Sequence, residues 1–146
     1  MPRYFTLAEA ERILPKVEER IREALFIKSE HQQADEEIRA TTKRIFLSGG
    51  ASVDRNHIAG LKTTRDSSAT RLQEVCERIQ ELGCLVKDLD IGLLDFPTLY
   101  QGREVYLCWR LGEDRIEFWH DIEDGFRGRQ PIDDEFLASH SGEQEN

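Results

Sequence analysis

A seven-residue recurrence of apolar side chains sets the first limit on what this chain can fold into. Leu7, Leu14 and Ile21 form one column, and Ala10, Val17, Ala24, Ile38 and Ile45 form another. Two such columns make the seam of a helix that packs lengthwise on a second helix. Thr6-Leu7-Ala8-Glu9 provides the start: the Thr6 hydroxyl accepts from the Glu9 amide, and the Glu9 carboxylate reaches back to the Thr6 amide. Pro15 lacks an amide donor and crowds the preceding turn, so a kink or a restart is expected near Glu11 to Leu14. The pattern runs to Phe46 and ends at Ser48-Gly49-Gly50.

A matching seam follows, with Ile58, Leu72 and Ile79 in one column and Leu61, Val75 and Leu82 in the other. It predicts a helix from Ser52 or Asp54 to Leu82, stopped by Gly83. Folded antiparallel about the glycines, the helices set Ile21 against Ile79, Ala24 against Val75, Ile38 against Leu61 and Thr42 against Ile58. The same register puts Asp35 at the level of Arg65 and His31 at the level of Ser68, matched polar layers of the kind that lock a coiled-coil register. Two helices cannot enclose a core. Phe26, Ile27 and Phe46 lie beside the seam, so a homodimer forming a four-helix bundle is the expected assembly.

Beyond Gly83, long polar helix formers give way to β-branched and aromatic residues separated by turns. Cys84 to Lys87 reads as a short strand with an exit turn through Asp88, Asp90 and Gly92, and Leu93 to Phe96 leads in extended form to Pro97. Arg103 to Leu111 and Asp114 to Asp121 read as strands joined by a two-residue turn at Gly112-Glu113. Alternation then places Val105, Leu107, Trp109, Ile116, Phe118 and His120 on a core face. The other face carries Glu104 opposite Asp121, Tyr106 opposite Trp119 and Cys108 opposite Glu117. Two opposed carboxylates repel unless a cation, a proton or an arginine stands between them.

The fold class is therefore α+β: a long antiparallel helical hairpin over 1–83, a small antiparallel sheet of about three strands in an acidic cap over 84–132 at the hairpin base, and a disordered acidic tail over 133–146. His120, Asp121, Glu104 and Glu123 form the candidate metal set, one imidazole with hard oxygens suited to a divalent ion, and Asp88, Asp90 and Asp95 add carboxylates nearby. Arg127 and Arg129, in the glycine-containing run Gly125 to Pro131, form a candidate anion-binding loop, with neutralisation of nearby acids as the competing role.

Charge excludes one class of partner. Lysines and arginines balance aspartates and glutamates through Gly83, so the net charge of −9 belongs to the remainder of the chain. Neither half offers the basic face that nucleic acid requires. No apolar run is long enough for a membrane span, and Cys76, Cys84 and Cys108 have no metal-type CxxC spacing, which together point to a cytoplasmic protein with reduced thiols.

Tyr4-Phe5-Thr6-Leu7, Lys87-Asp88-Leu89-Asp90, Gly92 to Pro97, Gly102 to Arg110, Phe118-Trp119-His120-Asp121, Gly125-Phe126 and Gly128-Arg129-Gln130-Pro131 resemble the bacterial family labelled domain of unknown function 2203. The likeness covers nearly all of the chain before the tail and brings with it no activity. Two functions are expected from the residues. One is a dimeric interaction or scaffold protein presenting an acidic β-capped end; the other is a small metal-dependent enzyme, a hydrolase for example, centred on the carboxylates and histidine of the β-rich end.

Overall fold

A computed structural model describes residues 3–49 and 55–143. Helix α1 runs Leu7–Leu47 and helix α2 runs Arg55–Glu81. The Glu9 amide donates to Thr6 Oγ1 at 3.1 Å, and the return bond is made by the Thr6 hydroxyl to Glu9 Oε1 at 3.1 Å. Of the kink or restart expected near Glu11 to Leu14, the restart does not occur, because α1 continues through Pro15. Ala10, Leu14, Val17 and Ile21 are buried on either side of it, while Pro15 itself is exposed, so water can serve the Glu11 carbonyl that proline leaves without a donor. Ser52 and Asp54, the expected start of α2, lie outside the described residues. At its other end Gly83 terminates α2 with φ +100°, and a Cβ there would stand 2.9 Å from Arg3 Cδ and 3.0 Å from Phe5 Cζ.

The chain divides into two compact units, Met1–Ile21 with Glu77–Asn146, and Arg22–Cys76. In the second, Ala24, Ile27, Ala34 and Val75 are buried, whereas Ile38, Ile45, Ile58 and Leu61 are only half-buried. The His31 ring donates through Nδ1 to the Arg65 carbonyl at 3.0 Å, and the Ser68 hydroxyl donates to that carbonyl at 3.0 Å and to Thr64 O at 2.7 Å. His31 and Ser68 thus meet at one carbonyl oxygen. Asp35 does not pair with Arg65. It bridges Arg39 at 3.0 Å, and Arg65 bridges Asp66 at 3.1 Å. With His31 at the level of Arg65, Asp35 is a further helical turn along, about 6 Å away at 1.5 Å per residue, and takes the closer charge on its own helix.

The first unit holds one antiparallel sheet of six strands, rather than about three, formed by β1 (Leu85–Asp88), β2 (Leu93–Tyr100), β3 (Arg103–Arg110), β4 (Phe118–Asp121), β5 (Gln130–Pro131) and β6 (His140–Ser141). Strands β1 to β5 follow chain order, and β6 joins the outer edge of β2 beyond β1. Pro97 occupies the gap between those two neighbours. Its carbonyl accepts from the Phe5 amide at 2.7 Å, so its nitrogen faces the same outer edge and its missing N–H costs the β3 ladder nothing. Gln101-Gly102, with φ 53° and 80°, makes the two-residue hairpin between β2 and β3. Leu94, Phe96 and Thr98 of β2 share a buried face with Trp109, Leu107 and Val105 of β3.

The expected disorder after Ile132 does not hold for Asp133 to Glu143. Helix α3 (Asp134–Ser139) is capped by Asp133, which accepts from the Phe136 amide at 2.8 Å. Phe136 is 1% exposed and stacks on Tyr100 and Trp119, each at 4.9 Å between centroids. His140 Nδ1 faces the Leu137 carbonyl at 2.9 Å and so carries the proton, leaving Nε2 to accept from the Leu7 amide at 3.0 Å. This acidic segment therefore caps the first turn of α1, and one aromatic anchor outweighs its polar composition.

Candidate functional site

The connection between β3 and β4 decides which residues meet. The expected Gly112-Glu113 hairpin is replaced by a loop from Leu111 to Glu117. Glu113 organises it: its carboxylate accepts from the Arg110 amide at 2.7 Å and the Arg129 guanidinium at 2.8 Å, and its carbonyl accepts from the Trp109 indole at 3.0 Å. The observed register pairs Val105 with Asp121, Tyr106 with His120, Leu107 with Trp119 and Cys108 with Phe118. This is one residue from the expected pairing, and a one-residue slip turns every β4 side chain to the opposite face. Glu104 consequently does not oppose Asp121. Trp119 joins the core face, and His120 joins Tyr106 and Cys108 on the other.

Three adjacent strands now contribute to one buried cluster. Asp95 of β2 is paired directly with Cys108 of β3, and His120 comes from β4. Asp95, Cys108 and His120 are 1%, 1% and 2% exposed. His120 Nε2 is 2.9 Å from Asp95 Oδ1, and Nδ1 is 2.7 Å from the Asp121 carbonyl. A carbonyl only accepts, so Nδ1 carries a proton, and a further proton lies between Nε2 and the carboxylate. Burial disfavours the imidazolium, yet hydrogen bonds with Asp95, Cys108 and the Asp121 carbonyl, together with the Asp95 charge, outweigh it and bring the His120 pKa up to about 10.

Asp95 Oδ2 is different. It is buried and, among the described residues, meets no hydrogen-bond donor; Lys87 Nζ stands 3.9 Å away. The Lys87 ammonium lies 4.8 Å from the centroid of Tyr106, whose ring meets His120 edge-on at 5.6 Å. Burial first, then the charges of Glu104 and Asp95 and the nearby Tyr4, push the Tyr106 pKa up, so its hydroxyl keeps its proton. A cavity of about 130 Å³ opens beside Asp95 and His120, walled by Lys87, Leu93, Ile122, Gly125 and Phe126.

Of the candidate metal set, only His120 lies in this cluster. Glu104, Asp121 and Glu123 line a separate cleft of about 390 Å³ with Arg103, whose guanidinium bridges Asp121. The candidate anion-binding pair also divides. Arg129 is committed to Glu113 and lies over Phe118 and Phe126 at 4.1 and 4.3 Å, while Arg127 is exposed in the turn Phe126–Gly128. Asp88 accepts from the Asp90 amide at 3.0 Å as a turn former. Asp95, expected only as an additional carboxylate near the metal set, is a central member of the cluster, and Cys108 was missed. The available signal was Asp95 itself, a carboxylate set between Leu93-Leu94 and Phe96 in an apolar run.

Fold and site together define an α+β domain with a carboxylate, imidazole and thiol buried on one face of its sheet. The chain belongs to the family described as uncharacterized conserved protein (DUF2203), whose model matches residues 3–132. No curated protein and no solved structure matches it. Among the described residues, no helix is long and apolar enough to cross a membrane.

Proposed function

We propose that the protein binds a small polar ligand at the Asp95–His120 pair and performs acid–base chemistry on it. The observation that carries this reading is Asp95 Oδ2, a buried acceptor without a donor at the wall of a cavity. Leaving such an oxygen unsatisfied costs about 1–3 kcal/mol, which a ligand N–H or O–H would recover. Lys87 adds a cation for an anionic ligand group, and the proton between His120 and Asp95 is available for transfer. The cavity has room for a few non-hydrogen atoms, so the recognised part of the ligand is small. The test is an NMR screen of small amines, amides and hydroxy compounds that follows the His120 ring resonances. Shifts that saturate in the wild type and vanish in a folded Asp95→Asn variant support the reading. A screen in which no compound moves those resonances rejects it.

A second reading, a homodimeric scaffold, is favoured by the exposure of Phe26, Phe46 and Leu47 in the helical unit. Light scattering on eluted protein tests it, and a monomer at micromolar concentration removes the dimer. Three free thiols favour a cytoplasmic setting for either function.

A further inference from the structure

We propose that Asp95, Cys108 and His120 form a binding site for a thiophilic divalent transition metal, with zinc the best match to their chemistry. This rests on the same centre as the ligand reading and names the ion that would work there. The carboxylate, thiol and imidazole atoms lie within 4.8 Å of one another, on neighbouring strands and facing one way. One sulfur, one nitrogen and one oxygen donor suit zinc or cobalt and are poorly suited to magnesium or calcium, which take oxygen. The second observation concerns orientation. His120 Nδ1–H donates a hydrogen bond to the Asp121 carbonyl at 2.7 Å, the arrangement that fixes a ligating histidine and leaves Nε2 toward the ion. The third is the unpartnered Asp95 Oδ2, buried at the same point.

The His120–Asp95 geometry is that of a proton-held pair. Nε2 and Oδ1 are 2.9 Å apart, closer than the about 3.3 Å expected for neighbouring ligands at zinc bond lengths of 2.0–2.1 Å. Binding would replace the shared proton with the ion and part these atoms by a few tenths of an ångström. The proton from the Asp95–His120 bond and the proton from the Cys108 thiol would leave to solvent, making affinity rise with pH. Three protein ligands leave a fourth position, and the adjacent cavity has space for a water there. Lys87 opposes a cation by its charge, but its side chain is 42% exposed and free to turn outward.

Titration of the chelator-treated full chain with cobalt(II) tests the site, followed by competition with zinc. The expected result is one ion per chain, tetrahedral visible bands and a thiolate-to-cobalt charge-transfer band. Cys108→Ser should abolish the charge-transfer band, and His120→Gln should weaken zinc binding at least tenfold. Circular dichroism establishes that each variant is folded. Cys84 is a poor alternative source of the band: its thiol donates to the Ile79 carbonyl at 3.4 Å, and among the described residues it joins no cluster of metal-ligating side chains. Failure of the folded wild type to bind cobalt or zinc, or undiminished binding in folded Cys108→Ser and His120→Gln, overturns the proposal. Should a variant be unfolded, the wild-type spectrum decides alone: octahedral bands without charge transfer reject the site. Failure here with saturable organic-ligand shifts would leave the acid–base reading standing, so the two outcomes are distinguishable.

Discussion

His120 and Asp95 lie on strands separated by β3, yet their side chains meet at 2.9 Å beneath the surface. The contact crosses over Cys108, which is the ladder partner of Asp95. Neither member of the pair is tolerable alone at this depth, because a buried charge without its counterpart costs several kcal/mol.

Asp95→Ala should therefore destabilise the metal-free protein by about 3–5 kcal/mol, with a similar loss for His120→Ala. The double variant should lose clearly less than the sum. Urea unfolding of the four proteins measures the coupling, and a value near zero would mean the pair does not exist in solution.

Stability of the metal-free protein should fall as pH rises through the alkaline range. The His120 pKa is raised in the folded chain from 6.5 to about 10, so the folded state binds the extra proton. Its contribution is fully present below about 6.5, declines above that value and is gone past about 10. The groups facing His120 are Asp95, Cys108, Tyr106 and the Asp121 backbone, with Lys87 beyond Asp95. Urea unfolding in the presence of a chelator should show a loss on the order of a few kcal/mol across this window, and His120→Gln should flatten it.

Removing Asp133 to Asn146 should destabilise the chain although the family match ends at Ile132. The truncation uncovers Tyr100 and Trp119 and takes the His140 acceptor from the Leu7 amide. Phe136→Ala alone should cost about 3–5 kcal/mol, and Leu137→Ala, at an exposed position, less than about 0.5 kcal/mol. Thermal unfolding of both variants checks the contrast.

In the helical unit, the cycle formed by Asp35→Ala and Arg65→Ala should give coupling near zero, because each charge has its own exposed partner. Ser68→Ala and His31→Ala should each cost about 0.5–1.5 kcal/mol for the bond lost at the Arg65 carbonyl. Urea unfolding of the isolated variants separates these cases.

The helices were legible because their signals are local and redundant: a seven-residue seam, Thr6 at one end and Gly83 at the other. Strand β3 was legible from its alternation. Strand β2 was hidden because Asp95 and Pro97 both argue against a central strand, and each is accommodated by something distant, His120 in one case and the gap between β1 and β6 in the other. The candidate site was half legible for a related reason. Its imidazole and the strands β3 and β4 were identified, but the Glu113 bonds to the Arg110 amide and the Arg129 guanidinium, which shape the longer β3–β4 loop, leave no periodic trace. That single slip exchanged Asp121 for His120 on the site face.

The way the sheet ends limits how these molecules can polymerise. At one margin β5 is two residues long and contains Pro131, which offers no N–H to an incoming chain. At the other, β1 is four residues long, irregular between Val86 and Asp88, and carries charge at Lys87 and Asp88. Short, bulged, charged or proline-bearing margins make poor templates for added strands. Growth into a continuous fibril along the sheet is therefore disfavoured by the native state itself, and aggregation under stress should require unfolding first.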